Sequence, residues 1–100
     1  MITLNNQLHA ELWISWGALL RSYAAAHGLS RKQAAVIELD VEQIVVRYGS
    51  KWICFTQEWL ETSEGGKISF ALNEDGTVSL GGKMDAMDFA AERVTRELMQ

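Results

Sequence analysis

Residues 68–80 read Ile-Ser-Phe-Ala-Leu-Asn-Glu-Asp-Gly-Thr-Val-Ser-Leu. In the first half every second residue (Ile68, Phe70, Leu72) is apolar, which is the period of a strand with one buried face. The Asn-Glu-Asp-Gly cluster predicts a turn, because Gly76 can take the positive φ that closes a hairpin with a bulge. The alternation resumes after the turn. The stretch therefore predicts an antiparallel sheet with a core on one side.

A second hairpin is predicted upstream, within residues 43–60. Its loop is Gly49-Ser50, and glycine in the first of two loop positions is typical of a type II′ turn. This turn sets a register with Tyr48 opposite Lys51. One face of the hairpin is then expected to belong to the core and carries Ile44, Val46, Ile53 and Phe55, continuing to Trp59. The other face is mixed in polarity and carries Val45, Arg47, Trp52, Cys54 and Thr56.

The N-terminal third of the chain predicts a helix from residue 6 to residue 27. Its apolar residues recur at spacings of three and four, as on one face of an amphipathic helix. Asn5 or Asn6 is expected to cap its start, and Gly28 to take the left-handed conformation that often follows a helix. The apolar stripe consists of Leu8, Leu12, Trp16, Leu19 and Tyr23.

The C-terminal residues predict a second helix after the sheet. Gly81-Gly82 is expected to end the sheet, Asp85 to cap the helix, and Met84 to pack on Phe89 as a hydrophobic staple. The helix and sheet patterns together predict one buried core, made of Leu12, Trp16, Ile53, Phe55, Phe70, Leu72, Phe89 and Val94.

Residues 30–40 allow two interpretations. Ser30-Arg31-Lys32-Gln33 resembles a capping box that would open a short helix, whereas residues 35–40 contain strand formers in alternation. We favour a loop followed by a strand. The chain is then one α+β domain over residues 1–100. It consists of an N-terminal helix, an antiparallel meander of four to five strands and a C-terminal helix, with both helices on one face of the sheet.

Composition narrows the functional class. The chain has 100 residues, 48% of them hydrophobic and 22% charged, and a formal net charge of −4. An acidic chain lacks the basic field expected of a nucleic-acid-binding protein, so no nucleic-acid partner is expected. No apolar run approaches the length of a membrane span, and the first residues lack the pattern of a signal peptide. We therefore expect a cytoplasmic protein with no membrane partner.

No motif predicts catalysis, and we expect neither a cofactor nor a metal site. His9 and His27 lie eighteen residues apart on one predicted helix, so they cannot share a metal ion. Cys54 lies in the middle of a strand without a nearby base in the sequence, which favours a packing role over a nucleophilic one.

Two functional hypotheses rank ahead of an enzyme, which we do not expect. The first is an interaction module that works as a homodimer through the mixed sheet face, because an apolar patch with Arg and Trp is typical of interfaces. Its expected interface residues are Val45, Arg47, Trp52, Cys54 and Thr56. The alternative is a protein that binds a small apolar molecule between helix and sheet, in a pocket lined by Trp16, Tyr23, Phe55 and Trp59.

Overall fold

Two helices pack against a seven-stranded sheet in the computed structural model. It describes residues 2–100, with side chains described from Leu8 onward. The strands follow chain order across the sheet, and every neighbouring pair is antiparallel. The elements are α1 (Ile2–Gly28), β1 (Val36–Leu39), β2 (Ile44–Tyr48), β3 (Lys51–Phe55), β4 (Trp59–Thr62), β5 (Lys67–Leu72), β6 (Thr77–Leu80), β7 (Lys83–Ala86) and α2 (Met87–Leu98).

The α+β class is confirmed, but the sheet has seven strands rather than the expected four to five. One additional strand, β4, follows a tight turn in which the Thr56 hydroxyl accepts the backbone N–H groups of Glu58 and Trp59. The other, β7, follows Gly81-Gly82, which the sequence interpretation placed at the end of the sheet. Both glycines have positive φ, +60° and +87°, as a two-residue hairpin loop of type I′ requires. The pair therefore connects β6 to β7.

The two predicted hairpins are confirmed in detail. All five pairs between β2 and β3 have the predicted register, from Tyr48 opposite Lys51 to Ile44 opposite Phe55. Gly49 has a φ of +63° and only glycines have positive φ in the described chain, which agrees with a type II′ turn. In the later hairpin Gly76 has a φ of +87°.

The segment before the sheet follows the favoured interpretation. Residues 30–33 form no helix, and the predicted strand is present as β1. Helix α1, however, starts at Ile2, so Asn5 and Asn6 lie within the helix rather than at its cap, and their side chains lie outside the described part. Gly28 does not have a positive φ. The chain instead leaves α1 through a turn in which the Arg31 N–H donates to the Gly28 carbonyl at 3.1 Å.

Three aromatic rings from α1, β3 and β5 form the centre of the core. The ring centroid of Trp16 lies 5.3 Å from that of Phe55 and 5.6 Å from that of Phe70, and the two phenylalanine centroids are 5.1 Å apart. Of the eight predicted core residues, six are buried. Leu12 is half-buried, because it lines an open groove beside the N-terminal half of α1.

The start of α2 differs from the prediction and explains why Phe89 is exposed. Asp85 lies in β7, where it forms an ion pair with Arg93 at 3.0 Å, and the cap position is Ala86 without a side-chain hydrogen bond. Met87 is buried, and two residues further along a helix the direction of the side chain has turned by about 200°. Phe89 is therefore 59% exposed, and Met84 is not its staple but lies exposed in β7.

Both helices cover the same face of the sheet and also contact each other. The Tyr23 hydroxyl on α1 donates to an Asp88 carboxylate oxygen on α2 at 2.7 Å, and His27 Nε2 lies 3.3 Å from Glu92. The carboxylate of Asp88 raises the pKa of the Tyr23 hydroxyl, because ionising the phenol would break this hydrogen bond. Over residues 2–100, no helix lies on the opposite face of the sheet.

The open sheet face as a candidate interaction surface

The sheet face opposite the helices, called the outer face below, takes residues from all seven strands. The strand register places Val45 opposite Cys54 and Arg47 opposite Trp52, as predicted, and extends this face to Glu61 on β4. Its members, from one edge to the other, are Val36, Glu38, Val45, Arg47, Trp52, Cys54, Trp59, Glu61, Lys67, Ser69, Ala71, Thr77, Ser79, Met84 and Ala86.

The centre of the outer face is apolar, although no helix among the described residues packs on it. Val45 is only 5% exposed, whereas Trp52, Cys54 and Trp59 are half-buried. Val45 lies at the floor of a shallow depression of about 360 Å³, whose other lining residues are Arg47, Trp52, Cys54 and Glu61. An antiparallel sheet can expose one face to water when that face is largely polar. This centre is not.

Charged side chains of both signs surround the apolar centre. The Arg47 guanidinium lies 3.3 Å from the Glu38 carboxylate on β1 and forms an ion pair with it. Trp52 is the residue opposite Arg47 on β3. On the other side the Lys67 ammonium stands 4.1 Å from the centroid of the Trp59 ring, a cation–π geometry. Both signs of charge are therefore present at the rim.

Cys54 is a weakly acidic thiol in this surface. Its sulfur lies 3.6 Å from the side-chain oxygen of Gln43, to which it donates. Partial burial raises the pKa of the Cys54 thiol, the Glu61 carboxylate raises it further, and Arg47 opposes them. A raised pKa favours the neutral thiol, which is a much poorer nucleophile than the thiolate. The local chemistry therefore suits packing rather than covalent catalysis.

Trp59 lies on the outer face, and the expectation that it continues the core face is wrong. The residue opposite Phe55 is Leu60, which is buried, and its neighbour Trp59 therefore points to the other side. The number of residues in the Thr56–Glu58 turn decides this, because a shift of one residue exchanges the two faces of a strand. Thr56 itself uses its hydroxyl within this turn. The sequence interpretation did not place Trp59, Glu61 or Lys67 on the outer face. Recognising the turn at Thr56 would have placed Trp59 and Glu61 there.

The four residues of the alternative hypothesis do not line one pocket. Trp16 and Phe55 are fully buried and pack against each other, and Trp59 lies on the far side of the sheet. Tyr23 is engaged with Asp88 between the helices. An open groove of about 640 Å³ lies elsewhere, between the N-terminal half of α1 and three turns, where Trp13 donates to the Asp40 carbonyl at 2.8 Å.

Within the residues that the structure describes, no three His, Cys, Asp or Glu side chains are grouped so that they could hold a metal ion. Neither α1 nor α2, over the same residues, is long and apolar enough to cross a membrane.

No protein-family model, curated protein or solved structure matches this chain.

Proposed function

We propose that the protein is a non-enzymatic, cytoplasmic interaction module that works as a homodimer or higher homo-oligomer, and that copies associate through the outer face. The observation that carries this proposal is the apolar centre of that face. Val45 is buried beside half-buried Trp52 and Cys54, while both helices lie on the other side of the sheet. Exposed apolar patches rimmed by polar residues are typical of interaction sites.

The residue types support an interface with an anchor at Trp52. Tryptophan and arginine are enriched among the residues that contribute most to binding, because they bury a large area and still offer a polar group. Trp52 and Arg47 lie opposite each other on adjacent strands next to the Val45 depression. A second copy that inserts apolar side chains there would remove Trp52 from water.

The charge pattern supports a copy of the same chain as the partner. A two-fold interface brings one surface patch against itself, so a rim of a single sign would repel its own copy. Here Arg47 and Lys67 share the face with Glu38 and Glu61. Each copy can therefore offer a carboxylate to a cation of the other.

The substitution Trp52→Glu tests the proposal, because it places a charge at the expected anchor while the core side of β3 stays unchanged. We expect at least a two-fold lower particle mass in light scattering, with an unchanged circular dichroism spectrum. Ser22→Glu is the matched control, since it adds the same charge at an exposed site on α1. It should leave the mass unchanged. A parent protein that is monomeric at high concentration would refute the proposal.

A further inference from the structure

Exposed apolar side chains are concentrated along one edge of the sheet, at β1. Val36 and Leu39 belong to this strand and are 56% and 47% exposed, and Val41 directly after it is 75% exposed. Two more, Ile14 and Leu29, line the grooves between α1 and this strand. These five are among only eight large exposed hydrophobic residues in the described part of the chain.

The same edge offers unpaired main-chain groups. Among the described strands β1 pairs only with β2, and the N–H of Asp40 donates to the Gln43 carbonyl at 3.0 Å. The direction of the main-chain N–H and C=O groups alternates along a strand. The main-chain groups of Val36 and Glu38 therefore also point towards β2, whereas those of Ile37 and Leu39 point away from β2, to the open edge. Proteins normally protect such an edge with lysine, proline, a bulge or a covering loop. Here β1 has neither lysine nor proline.

We propose that the β1 edge pairs antiparallel with β1 of a second copy, so that the two sheets join into one. The two-fold axis runs perpendicular to the sheet and passes beside Ile37. The helices of both copies then lie on the same side of the joined sheet. This contact lies in the plane of the sheet and leaves the outer face free, so it does not rest on the association proposed above.

The side chains select the register. Residues opposite each other in an antiparallel pair share one face, so the axis passes beside a residue, and the two choices nearest the centre of the four-residue strand are Ile37 and Glu38. The second choice sets two Glu38 carboxylates opposite each other in a pair without hydrogen bonds, with Cα atoms about 4.5 Å apart. Like charges in that position are unfavourable. With Ile37 on the axis, Glu38 instead faces Val36 of the second copy.

The Ile37 register also fits in size, in hydrogen bonding and in charge. Leu39 lies opposite Ala35 of the second copy, a large side chain against a small one. The outward main-chain groups of Ala35, Ile37 and Leu39 then face one another as hydrogen-bonded pairs. Glu38, the one charged residue of β1, has Arg47 of its own chain 3.3 Å away, and the Glu38 of the second copy lies in the same cross-strand row as Val36 and Arg47, with Val36 between them. These features favour a copy of β1 over an unrelated extended peptide.

Disulfide cross-linking tests the proposed register in a Cys54→Ser background. Cysteines at position 37 of two copies would have Cα atoms about 5.5 Å apart, within the range that a disulfide bridges. We expect Ile37→Cys to form a covalent dimer of twice the 11.2 kDa chain mass under mild oxidation. Leu39→Cys is the matched control on the same strand and face. Two such cysteines would lie about 14 Å apart along the joined strands, so this variant alone should not cross-link.

Mixing provides a second, sharper measurement. Leu39→Cys should cross-link when it is mixed with Ala35→Cys, because these two positions are opposite in the proposed register. A folded Ile37→Cys protein that stays monomeric under oxidation overturns the proposal, and so does a Leu39→Cys protein that cross-links with itself as fast as Ile37→Cys does. Adding Trp52→Glu to the Ile37→Cys variant separates the two surfaces. The cross-link should persist there even though the outer face is disrupted.

Discussion

Replacing Phe55 by alanine should remove a large part of the stability of the fold. Phe55 is fully buried, and its ring lies between those of Trp16 and Phe70, with centroid distances of 5.3 and 5.1 Å. Truncating a buried phenylalanine costs about 3–5 kcal/mol. Each aromatic pair adds about 0.5–1.5 kcal/mol beyond its buried area, so we expect the upper half of that range. Domains of this size are stable by only about 5–15 kcal/mol.

Urea unfolding followed by far-ultraviolet circular dichroism measures this loss. The midpoint should fall strongly while the slope of the transition stays unchanged, since the same surface is exposed on unfolding. Phe89→Ala is the matched control, because it removes the same group from a side chain that is 59% exposed. It should change the free energy of unfolding by less than about 1 kcal/mol. Equal losses for the two variants would refute the assignment of Phe55 to the core and Phe89 to the surface.

Two further predictions concern single ionisable groups. Cys54 in the native protein should react with a thiol reagent at neutral pH much more slowly than Cys54 in the protein unfolded in urea. The reason is that partial burial and Glu61 raise the pKa of the native thiol. Equal rates would contradict this, because they would show an accessible, unperturbed thiol. In the Asp75 turn, hydrogen bonds from the hydroxyl and the N–H of Thr77 lower the carboxyl pKa below its ordinary value of 3.8. Its stabilisation is therefore present above that pH and is lost as the pH falls through the lower folded-state value. Asp75→Asn should accordingly be less stable than the parent at pH 7 in urea unfolding, and the difference should shrink in strong acid; a difference independent of pH would contradict this.

The sequence predicts the buried position of Phe70 correctly but that of Phe89 wrongly. The alternation around Phe70 predicts its strand and its buried face, because a strand directs successive side chains to opposite sides. Ile68, two residues earlier, has the same parity but is exposed near the start of β5, next to the turn at Gly81. The pattern thus predicts the face of a residue, and the position of the covering helices decides whether it is buried.

The β2–β3 part of the candidate surface follows from the sequence in the same way. The Gly49-Ser50 turn determines the register of β2 and β3 from two residues, because its geometry leaves only one way to pair the flanking strands. The turn residues are therefore enough to assign Val45, Arg47, Trp52 and Cys54 to one face. That Val45 is buried there could not be predicted, since the surrounding depression requires Glu61 from β4 as well.

By itself, the sequence determined the α+β class, both hairpins and the β2–β3 register, because each depends on residues a few positions apart. Tertiary structure alone decided the faces of Trp59 and Phe89. One residue more or less in the Thr56 turn exchanges the two faces of β4, and two residues along α2 turn the side chain by about 200°, from buried Met87 to exposed Phe89. It also decided that Gly81-Gly82 continues the sheet, because the pairing of β7 with β6 comes from contacts across the turn. Which edge and which face remain uncovered depends on where two distant helices pack, and no local pattern contains that information.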